Sequence, residues 1–387
     1  MAARALRGFA DGFVSVLLAI YLTALGLSPL EIGAIVTATL LGSALLTLAV
    51  GLVSDRLEPR RVLLGASLLM FATGLGFATL GDFWPLLAVA FAGTLNPSSG
   101  DVSVFLPTEQ AALADAVPGR ARTALFARYN LAGALLGALG AGASGLPNLA
   151  AGALGVAPLA ALRAGFLVYT GSALAIALLY LSAPPNARTP RRPAPPLQRS
   201  RRTVLGLAAL FSLDSFGGGF VVQSLLVLWL FQRFALEPAT AGAVFFAAGL
   251  LSAGSQLVSP WLAARIGLIR TMVYTHLPAN VFLLLAAFMP SAAGAIGFLL
   301  LRAALSQMDV PARQAYVMAV VPPEERAAAA GVTNVPRSLA TALAPLLAGA
   351  LLARSSFGWP LLVAGTLKII YDLLLLARYA RTDEPFG

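Results

Sequence analysis

The stretch SAPPNARTPRRPAPPLQRSRRT, Ser182–Thr203, decides the fold. It holds six prolines and six arginines and no acid. Proline keeps such a chain extended, and guanidinium at that density keeps it in water. On either side the composition reverses into long apolar runs. Before it they fall at about 8–26, 29–53, 62–80, 84–114, 121–146 and 158–182; after it at about 204–231, 238–263, 271–290, 293–320, 327–353 and 357–379. A helix crosses the hydrocarbon core of a bilayer with about 20 apolar residues, so each run is long enough. The expected fold class is therefore an all-α membrane protein: 12 transmembrane helices in two pseudo-symmetric six-helix bundles. The expected domains are an N-terminal bundle, 1–182, a cytoplasmic Pro/Arg-rich linker, 183–203, and a C-terminal bundle, 204–387.

The whole chain agrees with that reading. Of its 387 residues 59% are hydrophobic and 11% charged, and the mean hydropathy is +0.85. A soluble domain carries about 25% charged residues, so a soluble globule, a disordered chain and a collagen are all excluded. The net charge of +10 would suggest nucleic acid in a soluble protein. Here about eighteen of the 26 basic residues fall on one side of the twelve runs, the positive-inside pattern of a cytoplasmic face. No nucleic-acid partner is expected; the partners are the lipid bilayer and a small-molecule substrate. Both termini are expected in the cytoplasm, with Arg4 and Arg7 among the charges that hold the first one there. Asp11 interrupts the first run, which reads as a retained span and not a cleaved signal. Lysine occurs once, at Lys368, and this arginine bias with abundant alanine points to a bacterial inner membrane. There is no cysteine, hence no disulfide, thiolate or iron–sulfur ligand. No metal-ligand cluster, phosphate-cradling glycine loop or nucleophile–base set is legible, so neither a metal, a cofactor nor a catalytic residue is expected.

The two halves repeat. A shift of 204 places Pro107 on Pro311, Gln110 on Gln314, Val117-Pro118 on Val321-Pro322, Arg122 on Arg326 and Asn130 on Asn334. A shift of 209 pairs Pro29 with Pro238, Gly33 with Gly242, Arg56 with Arg265 and Arg61 with Arg270. Asp11 and Asp214 both stand early in the first span of their half. Parallel repeats of six spans place a substrate site between the halves near the midplane.

The stretch Gly51-Leu-Val-Ser-Asp55-Arg56-Leu-Glu58-Pro59-Arg60-Arg61 resembles the signature loop of the major facilitator superfamily, Gly-x-x-x-Asp-Arg-x-Gly-Arg-Arg, at the expected place between spans two and three. Glu58 replaces the family's glycine and Pro59 a basic residue, and the second copy has Ala264 where the aspartate would stand. The resemblance implies a gating role for Gly51, Asp55, Arg56, Arg60 and Arg61. Glycine admits close helix approach, and Asp55 would latch the N-terminus of span eleven, near Pro323 to Ala327. It also implies that spans one, four, seven and ten line the cavity while three, six, nine and twelve lie outside. The glycines of span five (Gly133, Gly137, Gly140, Gly142, Gly145) resemble an antiporter signature of the family without its glycine–proline pair, and close helix packing accounts for them equally.

Ionisable groups inside spans are costly and mark function. Asp101, Glu109, Asp309, Asp11 and Asp214 are the candidate proton-coupling acids, because burial raises a carboxyl's proton affinity and a nearby arginine lowers it. Glu109 and Arg313 are repeat equivalents of opposite charge. They pair across a gate, or Arg313 pairs with Asp309 four residues earlier in its own helix. With Asp11, Asp214, Arg128 and Arg337 they form a belt of three acids and three bases that either re-pairs during transport or stays in static pairs. The Asn96-Pro97-Ser98-Ser99-Gly100-Asp101 stretch suits a binding segment, since its freed backbone groups need a cavity or neighbours. Asn96, Ser98, Ser99, Arg302 and Gln307 are the candidate substrate ligands. Lys368 and Asp372, one turn apart on span twelve, read as an intrahelical pair, and His276 as a structural histidine.

The function expected is secondary active transport of small molecules by alternating access, coupled to protons. The first reading is export of amphipathic compounds by antiport; the second is an organic-anion or sugar-type symporter or uniporter. An enzyme or sensor on a transporter scaffold would need a polar catalytic cluster or a soluble output domain, and neither is legible.

Overall fold

The computed structural model describes residues 1–53, 57–98, 104–116, 119–182 and 197–379. Asp55, Arg56, Ser99 and Asp101 lie outside them. The described residues are helical with short connections. In chain order the helices are α1 (Ala2–Ala24), α2 (Pro29–Val53), α3 (Pro59–Thr79), α4 (Phe83–Ala92), α5 (Phe105–Ala116), α6 (Gly119–Ala143), α7 (Leu146–Leu154) and α8 (Pro158–Ser182). Then follow α9 (Arg201–Gly219), α10 (Gln223–Phe234), α11 (Pro238–Ile266), α12 (Leu268–Phe288), α13 (Ala292–Leu305), α14 (Asp309–Val320), a 3-10 turn (Pro323–Glu325), α15 (Arg326–Arg354) and α16 (Trp359–Tyr379). Proline opens α2, α3, α8 and α11, where its missing N–H costs nothing. Ser28 and Glu31 form a reciprocal capping box at the start of α2.

Eleven segments of the described residues are long and apolar enough to span a membrane. The run at 84–114, expected as one span, is instead broken: α4 ends at Ala92, and Gly93–Ser98 is non-helical. The cause is local. Pro97 has no N–H, and the Asn96 Oδ1 accepts hydrogen bonds from the Ser98 N–H (3.1 Å) and hydroxyl (3.0 Å), closing a side-chain turn that competes with the helix. Two further spans are interrupted, at Phe220–Val222 after Gly217-Gly218-Gly219 and at Ser306–Met308.

By internal packing the chain divides into two compact units: Met1–Arg191 with Val222–Phe246, and Arg192–Val221 with Ala247–Gly387. In the first, α1 packs on α6, α8 and α10, α2 on α4, and α3 on α8. The α1–α6 seam is backbone against backbone. A methyl on Gly12 would overlap the Gly137 carbonyl, 2.7 Å from its carbon, and one on Gly8 would stand 3.0 Å from the Gly133 Cα. Gly140 joins the same seam, against the Phe9 carbonyl and the Phe13 nitrogen of α1, while Gly142 and Gly145 face the start of α11, at Phe246 and Ala239. Close packing thus accounts for that glycine run. The interrupted span four is tied in by Ser224 of α10, whose N–H (3.1 Å) and hydroxyl (2.9 Å) reach the Pro97 carbonyl; the hydroxyl also reaches the Ser15 carbonyl at 2.7 Å.

In the second unit α9 packs on α15 and α16, and α12 on α16, α13 and α14. Val204, Leu207, Phe211, Met272 and Tyr316 belong to its core. The Glu325 carboxylate accepts the N–H groups of Gln198, Arg199 and Ser200 and the Ser200 hydroxyl, capping the N-terminus of α9. These bonds, the Ser200 hydroxyl first, hold its pKa at about 2, below the ordinary 4.5. Because the folded value is depressed, the clamp stabilises fully above pH 4.5 and is lost as the pH falls towards 2. In thermal unfolding from about pH 7 to pH 3, Glu325→Gln is expected to lie below wild type at neutral pH, with the gap closing in acid. A gap independent of pH would show that the clamp is not ionic.

Candidate functional site

Each unit buries its own charge cluster. In the first, Arg7 of α1 is 1% exposed and its Nη2 lies 2.6 Å from the Glu109 carboxylate of α5. The Tyr129 and Tyr180 hydroxyls donate to the same carboxylate, and Arg7 also reaches the Tyr129 hydroxyl at 3.1 Å. The guanidinium lies over the Phe105 ring, 4.7 Å from its centroid. Arg7 was expected to anchor the terminus in water; α1 starts at Ala2, which carries Arg7 inside. Asp11, one turn further, is buried and makes no hydrogen bond or ion pair among the described residues.

In the second unit Asp214 of α9 is the hub. Its Oδ1 is 2.6 Å from the Lys368 ammonium of α16 and 3.7 Å from the His276 Nε2 of α12, and its Oδ2 is 3.3 Å from the Arg313 guanidinium of α14. Arg313 also meets Asp309 at 3.3 Å, four residues back. The other face of His276 turns to Asp372: Nδ1 and Oδ1 are 2.8 Å apart, and the Asn280 amide donates to the Asp372 Oδ2 at 2.9 Å. The chain Asp372–His276–Asp214 therefore runs unbroken from α16 through α12 to α9. The expected Lys368–Asp372 intrahelical pair is absent. The lysine stem reaches the desolvated carboxylate of α9, while Asp372 is already satisfied by His276 and Asn280. His276 is likewise part of this network and not a bystander on a peripheral span.

The remaining candidates divide clearly. Glu109 and Arg313 each pair within their own unit, Arg313 with both Asp309 and Asp214. The Arg337 Nε donates to the Ser215 hydroxyl at 2.9 Å. Arg128 is exposed and makes no hydrogen bond or ion pair among the described residues. The Arg302 Nε is buried without a partner, and Gln307 receives the Gln256 amide at 3.5 Å. Asn96 is buried, with Ser98 half-buried beside it. Arg60 caps the end of α8, donating to the Tyr180 carbonyl at 3.0 Å and to the Leu181 carbonyl, and Arg61 pairs with Glu58 at the surface. A Cβ on Gly51 would meet nothing within 4 Å among the described residues.

Asp214, His276 and Asp309 bring three potential metal-ligand atoms within 4.8 Å of one another. Lys368 and Arg313 already supply positive charge at that place, and their repulsion disfavours a divalent cation there. Sequence reading missed Arg7, Tyr129, Tyr180, His276, Asn280, Lys368 and Asp372 as members of these clusters. One signal was present: His276/Asn280 and Lys368/Asp372 are both i,i+4 polar pairs, each presenting one polar face on an otherwise apolar helix.

The family model of the Major Facilitator Superfamily matches residues 1–308. The chain belongs to the major facilitator superfamily. This facilitator is a multi-pass membrane transporter of small molecules and not an enzyme. Over 98% of its length it is 27% identical to the uncharacterized membrane protein YJR124C of Saccharomyces cerevisiae, covering 92% of that protein. Its fold is similar to that of a D-xylose-proton symporter (TM-score 0.76, 15% identity, 97% of this chain and 96% of that one). It also resembles the nucleoside transporter NupG (0.72, 13%, 97% of both chains) and a bacterial homologue of the iron transporter ferroportin in an inward-facing state (0.74, 17%, 97% and 96%).

Proposed function

We propose that this facilitator is a proton-coupled carrier working by alternating access, and that the Asp214 cluster takes up and releases the proton. One observation carries this reading: a single buried carboxylate is shared by cationic or protonatable side chains from three other helices, Lys368, Arg313 and His276. Any movement that withdraws Lys368 or Arg313 leaves a desolvated acid, whose proton affinity then rises steeply. His276 and Asp372 extend the path by which that proton would travel. The expected setting is a bacterial inner membrane with both termini cytoplasmic, on the arginine distribution, and a monomeric protein, as the family resemblance implies.

Export of amphipathic compounds by antiport is the second reading. Asp11 supports it, as a buried acid with no ion pair and so open to a lipophilic cation or a proton in turn.

The test is proton movement in proteoliposomes under a pH gradient, with a panel of tetraphenylphosphonium, carboxylates, phosphates, xylose and uridine. Asp214→Asn is expected to lose compound-driven proton movement by about a hundredfold while compound exchange without a gradient persists. Unchanged coupling in Asp214→Asn, with coupling lost in Asp11→Asn, would move the proton site to the first unit.

A further inference from the structure

The second unit carries more buried or half-buried positive charge than its acids neutralise. Asp214 and Asp309 take Arg313 and Lys368, and Asp372 takes His276. Two guanidiniums are left over. Arg302, in the last turn of α13 before the Ser306–Met308 break, makes no ion pair or hydrogen bond through its side chain among the described residues, and its Nε is buried without a partner. Arg337 of α15 is half-buried, and among the described residues its side chain bonds only to the neutral side chains of Ser215 (2.9 Å) and Asn334 (3.5 Å). Both lie near enough to Asp214 and Asp309 to feel their charge, and Arg337 near enough to feel the repulsion of Arg313.

A guanidinium inside a membrane span without a counter-ion is costly, and a planar fork of N–H donors fits a carboxylate or phosphate better than any neutral group. Arg302 stands one turn before a helix interruption, and Gln307 of that interruption, met by the Gln256 amide of α11 at 3.5 Å, adds polar groups beside it. We propose that the substrate is a small organic oxyanion, a carboxylate or phosphate, whose charge is taken by Arg302 and Arg337.

This inference rests on the proton-coupled reading for its second half. An anion placed beside Asp214 and Asp309 raises the proton affinity of both acids, and by linkage a proton on either acid tightens the anion. Anion and proton therefore bind together and travel in the same direction, as a symport. The two guanidiniums confer selectivity by charge, and the acids couple that charge to the gradient.

The experiment uses the full chain, purified and reconstituted, with binding by calorimetry and proton movement by a pH-sensitive dye. The probes are lactate, malate and benzoate as carboxylates, inorganic phosphate and glycerol 3-phosphate as phosphates, and lactamide, xylose, uridine and tetraphenylphosphonium as neutral or cationic controls. Saturable binding is expected for members of one anionic arm and not for lactamide, with proton movement along with the anion. Arg302→Gln is expected to weaken that binding by about thirtyfold or more, and Arg302→Lys, which keeps charge but loses the fork, by less. The wild-type contrast of lactate with lactamide holds even where a variant fails to fold.

Anion binding with no proton movement supports the anion site and overturns the coupled reading. Proton movement driven only by neutral or cationic compounds, unchanged in Arg302→Lys, overturns the anion site and leaves the coupled reading standing. Binding of no anion by well-folded protein also overturns it.

Discussion

Gly12→Ala is expected to cost this transporter most of its folded yield, while Gly137→Ala in the facing helix is tolerated. The asymmetry is geometric. A methyl on Gly12 overlaps the Gly137 carbonyl, with the carbonyl carbon at 2.7 Å and the Cα at 2.9 Å. A methyl on Gly137 meets only the Gly8 carbonyl oxygen, at 3.4 Å, which is ordinary contact. Alanine gains about 1 kcal/mol of helix propensity over glycine, so both changes would stabilise an isolated helix. At Gly12 that gain is outweighed. Overpacking costs about 1–3 kcal/mol even where a side chain gives way, and here backbone must move against backbone. Thermal unfolding of the purified variants, beside Gly171→Ala as an open-space control, checks the ranking. Equal losses at positions 12 and 137 would overturn this reading of the α1–α6 seam.

The second large effect concerns Arg7 and Glu109. Removing one partner of a buried pair strands the other charge, at about 3–5 kcal/mol. Glu109→Ala also strands the Tyr129 and Tyr180 hydroxyls, at about 1–3 kcal/mol for each that stays dry. Glu109→Ala alone is therefore expected to destabilise severely. The double variant Arg7→Met with Glu109→Leu should recover the part of the loss due to the stranded charge, because exchanging both charges for apolar groups avoids desolvating either, while the cost of the Tyr129 and Tyr180 hydroxyls remains. A double-mutant cycle read by thermal unfolding gives the coupling. A double variant no better than Glu109→Ala would show that Arg7 is satisfied by other groups. A double variant that is stable but inactive in transport would separate a gating role from a structural one.

Much of the fold is legible in the sequence because membrane spans and their punctuation are composition effects. The apolar spans and the glycine run of α6 announce themselves through composition, whereas the break after Ala92 does not, because 84–114 reads as one apolar run although Asn96 and Pro97 stand in it. The charge clusters are different. Arg7 reads as a topogenic charge because its position near the chain start says nothing of the acid a hundred residues on that neutralises it. Lys368 and Asp372 read as a pair because they are one turn apart, whereas their actual partners, Asp214 and His276, come from other helices. Which cation takes which acid depends on side-chain reach and desolvation across packed helices, and one-dimensional spacing does not encode these. The acids themselves were identifiable, since any ionisable group in a span needs a reason to be there.

The bond from Ser224 to Ser15 and Pro97 bears on how the protein is made. Residues Val222–Phe246 pack with the first unit although they leave the ribosome after α9, which belongs to the second. α1 is buried all round from Val14 to Leu22 in the finished protein, and the face of it that packs on α10 has to wait for α10 before it is covered. Until about 250 residues are synthesised, that face is available to lipid, to an insertase or to a wrong neighbour. A nascent chain arrested after residue 200 should therefore label readily at Ser15→Cys, and one arrested well past residue 260 should not. The order of synthesis and the order of assembly differ in this protein, and the interval between them is when it is most exposed to misassembly.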